Sequence, residues 1–286
     1  RGGLPGIHSM FGGSWWRFKQ PLRLGQRIDV DVTFQGLDEM RSRFSGRMFK
    51  QTSNVRFVTS DGVEIADSES WGMRTERTTA KKKGKYKTLR PEPMADGLLE
   101  EVFDAYEKEV PRGVEPLHWE DIVVGDTIPS IVRGPYSATT AVCFEQAWGG
   151  LFVKAHGYWY DYLRRHPAAG IANPYGVPEP PEAMHWDGEL ARSVGVPEAY
   201  DYGPERIAWI ATMLTNWIGD RGFLEELYCE VRRFNLVGDV TNCTGTVTEC
   251  EAIDGATGRI KLDVQATDQR GQVTALGWAK VRLPRR

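Results

Sequence analysis

The chain has 286 residues, 41% of them apolar, and a formal net charge of -3. That length accommodates one large domain or two of ordinary size, with two the expectation, and the apolar fraction suffices for a packed core. The near balance of charge excludes a global basic field of the kind that holds nucleic acid.

Four cysteines, Cys143, Cys229, Cys243 and Cys250, form no Cys-x-x-Cys pair. They are expected as free, structural thiols of a reducing, cytoplasmic compartment. The opening Arg-Gly-Gly-Leu-Pro-Gly shows no signal segment or anchor motif, and a start inside a longer natural sequence is expected.

Residues 1–13 are Gly-rich and expected to be irregular. A β pattern begins at Ser14-Trp15-Trp16-Arg17-Phe18, and Gly25 to Phe34 alternates with Ile28, Val30, Val32 and Phe34 on one side, the signature of a half-buried strand. Two more strands are expected around 46–60 and 63–75, joined by the Ser60-Asp61-Gly62 turn. Residues 1–80 thus read as a meander module without an apolar helix of its own, that helix being lost or placed upstream of Arg1.

Residues 81–117 read as a linker. Its basic run, Lys81 to Lys87, is expected as a solvated loop, with docking of a phosphate-bearing ligand as the alternative. Leu98 to Val110 predicts a short amphipathic helix. The second half, 118–286, opens at Trp119, with a strand to about Tyr136 and a helix from Thr139 to Trp148.

An insertion at about 150–181 is rich in aromatic residues, with a helical stretch from Lys154 to His166 followed by Pro174, Pro178, Pro180 and Pro181. Trp148, Phe152, Tyr158, Trp159, Tyr160 and Tyr162 lie close together, so a lid or pocket wall is expected, against a packing layer or a subunit interface.

The stretch Gly203 to Gly219 is the element around which the second half is organised. Ile207, Ile210, Ala211, Leu214 and Ile218 recur at helical spacing, and Ala208, Trp209, Met213 and Trp217 fill most of the remaining circumference, which predicts a buried helix. Pro204 suits the first helical position and Gly219 the stop. About 24 Å of helix, interrupted by Thr212, Thr215 and Asn216, is too short to span a bilayer.

Four strand-like runs come after it: Phe223 to Val237, Val240 to Cys250, the run after Gly258, and Val273 to Val281. A buried helix succeeded by an antiparallel meander is an α+β unit whose sheet curls around the helix.

The segment Met184-His185-Trp186-Asp187-Gly188-Glu189-Leu190-Ala191-Arg192-Ser193-Val194-Gly195-Val196-Pro197, close before that helix, resembles the MaoC-like hydratase/dehydratase family. Gly12 to Phe18 with Pro21-Leu22-Arg23-Leu24-Gly25 looks like the N-terminal module of its FAS1-like dehydratase group, and Val124-Gly125-Asp126-Thr127-Ile128-Pro129 matches the usual start of the second unit. The resemblance implies a double hotdog fold, an antiparallel sheet wrapped around a buried central helix. It also implies a lyase that hydrates an enoyl-CoA-type thioester or dehydrates its 3-hydroxyacyl counterpart.

In that family a carboxylate and a His, arranged as Asp-x-Asn-Pro-x-His, move water across a C=C bond, and N–H donors at a helix N-terminus hold the enolate oxygen. His185 falls on the family His and Gly203 on the Gly of the following His-Gly turn. Pro180 stands at the Asp position, or Gly150 if the gap is placed earlier. Glu182 stands at the Asn position, and Tyr202 replaces the His of the turn.

The resemblance therefore implies His185, Glu182 and Asp187 as the catalytic set, with Gly203, Tyr202 and Glu205 at the thioester oxygen. The Asp161/His166 pair is a further substitute for the dyad. Trp148, Tyr158, Trp159 and Tyr162 are expected to wall the acyl pocket, with a preference for a bulky or cyclic acyl group.

The five His are scattered, without His-x-His or His-Glu-x-x-His, so no metal and no cofactor are expected. The expected partners are an acyl-CoA-type substrate and further subunits in a homo- or hetero-oligomer, with neither nucleic acid nor membrane. Two rival readings are a non-catalytic subunit of a heteromeric hydratase and a hotdog acyl-CoA thioesterase using Glu205 as base.

Overall fold

Alternating apolar residues in both halves of the chain build one sheet. The computed structural model describes residues 7–42, 46–76, 89–149, 153–193 and 195–286; the Lys81 to Lys87 run, Gly150 and Phe152 lie outside them.

The first-half strands are β1 (Ile7–Phe18), β2 (Ile28–Ser42), β3 (Gly46–Thr59) and β4 (Glu64–Glu76). There follow α1 (Leu98–Lys108), β5 (Ile131–Arg133), α2 (Ala138–Trp148), α3 (His156–Arg165), β6 (Ile171–Ala172), β7 (Pro178–Glu179), α4 (Gly188–Ser193) and α5 (Gly203–Ile218). The chain closes with β8 (Phe223–Val231), β9 (Thr241–Ala252), β10 (Thr257–Asp268) and β11 (Val273–Pro284).

Nine strands pair in the order β2-β3-β4-β1-β8-β11-β10-β9-β5, and every ladder between them is antiparallel. This is the α+β hotdog architecture. β1 is the seam, pairing with β4 on one side and β8 on the other.

Two expectations are corrected here. The Gly-rich start is not irregular from Ile7 onward, because Gly12 and Gly13 serve a bulge inside β1 rather than a loop. Gly13 has φ 148, and a Cβ there would come within 2.4 Å of the Cys229 carbonyl, so the close approach of β1 to β8 requires glycine. The strand expected up to Tyr136 shrinks to Ile131–Arg133, since Pro129 and Pro135 cannot donate to a ladder.

α5 buries Ile207, Ile210, Met213, Leu214, Trp217 and Ile218 in the main core. Ala208 and Thr215 are exposed, so this helix is covered on most of its circumference and open along a narrow polar and small-residue stripe.

Candidate active site

The N-terminal end of α5 opens into a cavity of about 320 Å³. Several parts of the chain meet on its wall, β1 and the segment after β8 among them. The last turns of α2, capped at the other end by Ser137 Oγ accepting from Thr140 N at 3.2 Å, bring Glu145 and Trp148. The 3-10 turn Pro181–His185 brings Glu182 and His185, and the entry to α5 brings Tyr202 and Gly203.

Tyr202 is the ring at the centre. His185 stacks on it with ring centroids 3.7 Å apart at 26°; Phe144 at 5.4 Å and Trp148 at 6.2 Å also contact it. His185 Nδ1 lies 2.7 Å from the Tyr200 carbonyl oxygen. A carbonyl can only accept, so Nδ1 carries the proton and Nε2 is the unprotonated nitrogen. Burial pushes this imidazole down to about 4, which keeps it neutral near pH 7.

Carboxyl groups in the same wall are displaced the other way. Burial pushes Glu182 up to about 7, with a contribution from the Glu145 charge, and Glu145 is itself raised by burial. Glu182 Oε2, Glu145 Oε2 and the Tyr202 hydroxyl are buried without a hydrogen-bond partner. Among the described residues no group of side chains is assembled to hold a metal ion.

Gly203 begins α5 with no side-chain cap over the helix end, leaving first-turn N–H groups and the positive end of the helix dipole at the cavity. A Cβ at Gly203 would sit 2.5 Å from Phe11 Cδ1. The first half of the chain thus closes against the site through β1.

Other residues singled out in the sequence lie elsewhere. Asp187 is not on the cavity wall; its Oδ1 accepts from Leu190 N at 3.0 Å and caps α4. Glu205 is buried beside Tyr136, behind the wall rather than on it, and burial pushes it up to about 8. Asp161 lies within the exposed α3, its Oδ1 3.9 Å from Arg164, and His166 stands at the C-terminal end of that helix.

Among the described residues the insertion does not deliver its rings to the cavity: of the expected aromatic wall only Trp148 is there. Tyr158 is 80% exposed. Trp159 and Tyr162 stack on each other at 5.7 Å, and Trp159 Nε1 donates to the Pro178 carbonyl at 2.6 Å, tying α3 to the small β6–β7 hairpin instead. α3 buries none of its residues, so it is an outer layer.

Sequence reasoning missed Glu145 and the ion pair beneath the site. Arg206 Nε donates to Asp201 Oδ2 at 2.8 Å and its Nη2 to Asp201 Oδ1, while Nη1 donates to the Arg233 and Thr274 carbonyls, each at 2.7 Å. Both side chains are almost wholly inaccessible. This network fixes the approach to α5 and the loop after β8. Its signal was legible: Glu205-Arg206 are charges in the first turn of an otherwise apolar helix.

The fold and the site together define a hotdog protein with a cavity lined by carboxyl groups and a histidine at the end of its central helix. No family model and no curated protein matches the sequence. Among solved structures, a MaoC-like dehydratase matches with TM-score 0.63 and 16% identity over 98% of this chain and 76% of its own. A protein described as a MaoC-domain dehydratase from Chloroflexus aurantiacus J-10-fl matches with TM-score 0.58 and 12% identity over 97% and 76%. A MaoC-like dehydratase from Phytophthora capsici matches with TM-score 0.50 and 12% identity over 98% and 72%. The chain has the fold of the MaoC-like dehydratases across nearly its whole length.

Proposed function

We propose that the protein is a hydratase/dehydratase acting on an acyl-CoA-type thioester, with the chemistry at the N-terminal end of α5. The observation that carries this reading is the convergence of Glu182, neutral His185 and the uncapped Gly203 end of the helix on one largely apolar cavity.

Hydration forms a C–O bond at Cβ and a C–H bond at Cα. Glu182, poised about pH 7, takes one proton from water as the water oxygen attacks Cβ. His185 Nε2 accepts a hydrogen bond from that water and orients it. Negative charge moves to the thioester oxygen, where the N–H end of α5 stabilises it, and a proton then reaches Cα.

Arg233, exposed on the cavity rim, has no ion-pair partner among the described residues. It suits an anionic substrate tail held outside the reacting centre. Glu205, lying behind the wall, is not positioned as the base that a thioesterase would need. Further subunits, identical or different, complete this proposal.

The test is loss of enoyl absorbance on hydration of crotonyl-CoA by the purified chain. Glu182→Gln should lower the rate by about 10²- to 10⁴-fold with substrate binding retained. Silence of the wild-type chain alone, restored by a second polypeptide, would instead assign it the role of a non-catalytic subunit. Release of free thiol without hydration would make it a thioesterase.

A further inference from the structure

Hydration at Cβ by Glu182 and His185 leaves open which group exchanges the proton at Cα. Four buried polar groups near the cavity have unspent hydrogen-bonding capacity, those of Glu145, Glu182, Tyr202 and Glu205, and the first three are on its wall. Glu145 is 3% exposed and Tyr202 4%. The Glu145 carboxyl and the Tyr202 hydroxyl lie near enough to influence each other, and a buried polar atom with capacity to spare forfeits free energy unless a ligand or water satisfies it.

Glu145 rises from the last turns of α2 and Glu182 from the 3-10 turn, so two carboxyl groups reach one cavity from different elements. Tyr202 contacts the Phe144 and Trp148 rings of α2 and stacks on the His185 imidazole. Burial raises the Tyr202 hydroxyl, and the negative charges of Glu145 and then Glu182 raise it further.

We propose that Glu145 is a second catalytic residue, the acid–base group for Cα, working with Glu182 as a carboxyl pair that holds one proton between them, with Tyr202 as its positioning residue. This rests on the hydratase reading. It needs no group beyond those on the wall.

In hydration Glu182 is ionised and Glu145 protonated. Water gives a proton to Glu182 as its oxygen bonds to Cβ, the C=C electron pair moves through Cα to the thioester oxygen, and Glu145 gives its proton to Cα as the carbonyl re-forms. One proton enters the pair and one leaves it. Passage of the Glu182 proton to Glu145, directly or through cavity water, resets the site. Dehydration is the reverse: ionised Glu145 removes the Cα proton and protonated Glu182 supplies the proton that leaves with hydroxide as water.

Two carboxyl groups sharing one proton titrate as a pair, and burial of both raises them above the ordinary carboxyl range. The pair also explains why this chain can work with Pro180 where the resemblance calls for Asp. The missing carboxylate is replaced by one from a helix distant in sequence.

The two roles separate by isotope exchange at Cα in D2O, using 3-hydroxybutyryl-CoA as probe. Glu182→Gln should lose elimination yet keep deuterium wash-in at Cα, because Glu145 still removes and returns that proton. Glu145→Gln should lose both by about 10²-fold or more, with the melting temperature close to wild type. Tyr202→Phe keeps the ring stack and should shift the pH profile while leaving the substrate Kd unchanged.

Wash-in that persists in Glu145→Gln at the wild-type rate overturns the proposal and leaves the hydratase reading intact. A wild-type chain inert toward every thioester overturns the hydratase reading first. Carboxyl titration by 13C NMR supplies a readout independent of turnover: Glu145→Gln should bring the Glu182 midpoint down from about 7, and an unmoved midpoint overturns the pairing.

Discussion

The two halves of the sheet carry the same apolar face to different ends. Following the ladders across one row, Leu262, Ala279, Leu227, Trp16, Ser68, Val55 and Val32 share a face. Leu262, Ala279 and Leu227 are buried under the core that α5 fills. At the other end of that row Val32 is 68% exposed, and its strand neighbours Val30 and Phe34 are 52% and 62% exposed.

Alternation in β2 therefore specifies which way its side chains point, and the presence of a covering helix decides whether they are buried. A period-2 pattern encodes a face, not a core.

Truncation tests that contrast most strongly. Leu214→Ala, in the wholly buried face of α5, should cost about 2–5 kcal/mol by chemical denaturation. Val32→Ala should change stability by no more than about 0.5 kcal/mol. If Val32→Ala costs as much as Leu214→Ala, the open face is covered in solution and the two halves are energetically alike.

The seam between the halves gives a smaller effect. Gly203→Ala places a methyl 2.5 Å from Phe11 Cδ1, pressing β1 away from the first turn of α5, and should cost about 1–3 kcal/mol as an overpacking change. Phe11→Leu in the same chain should recover part of that loss, because the two residues share one contact. Additive losses in a double-mutant cycle would show that the halves do not bear on each other there.

Legibility followed the same division. The central helix and its four strands were readable because apolar residues at helical spacing and then alternating runs have few other solutions, and the capping Pro204 and Gly219 marked the ends. His185, Glu182, Tyr202 and Gly203 were reached through the resemblance, and all four line one cavity. Glu145 could not be found that way, since it sits 37 residues before Glu182 in the sequence and only packing of α2 against Tyr202 brings it to the wall.

The aromatic insertion misled for a physical reason. Composition reveals a capacity to bury rings but not the direction in which a helix presents them, and α3 turns its rings to the small hairpin and to solvent. Asp187 misled through spacing, because an Asp three residues ahead of a helical N–H is also what a cap requires.

A third contrast concerns charge, and its sign separates the two regions. On the open half Glu39 is held below its ordinary range by a hydrogen bond to Arg47, whereas Glu182 at the covered end is pushed up from 4.5 to about 7 by burial. Between those two values the folded protein keeps a proton on Glu182 that the unfolded chain has lost. The stabilisation linked to that proton is complete below pH 4.5 and disappears as pH rises through 7. His185, pushed down from 6.5 to about 4, contributes with the opposite slope, favouring the fold above pH 6.5 and losing that contribution as pH falls through 4. The two slopes largely cancel in the wild type between those limits. Glu182→Gln removes the first, so relative to wild type it should gain stability steadily from pH 4.5 to 7, by up to about 3 kcal/mol in all, and hold that gain above. Denaturation midpoints measured across this range check it; a difference that is flat with pH would mean that Glu182 reaches solvent and that the covered end of the sheet treats charge no differently from the open one.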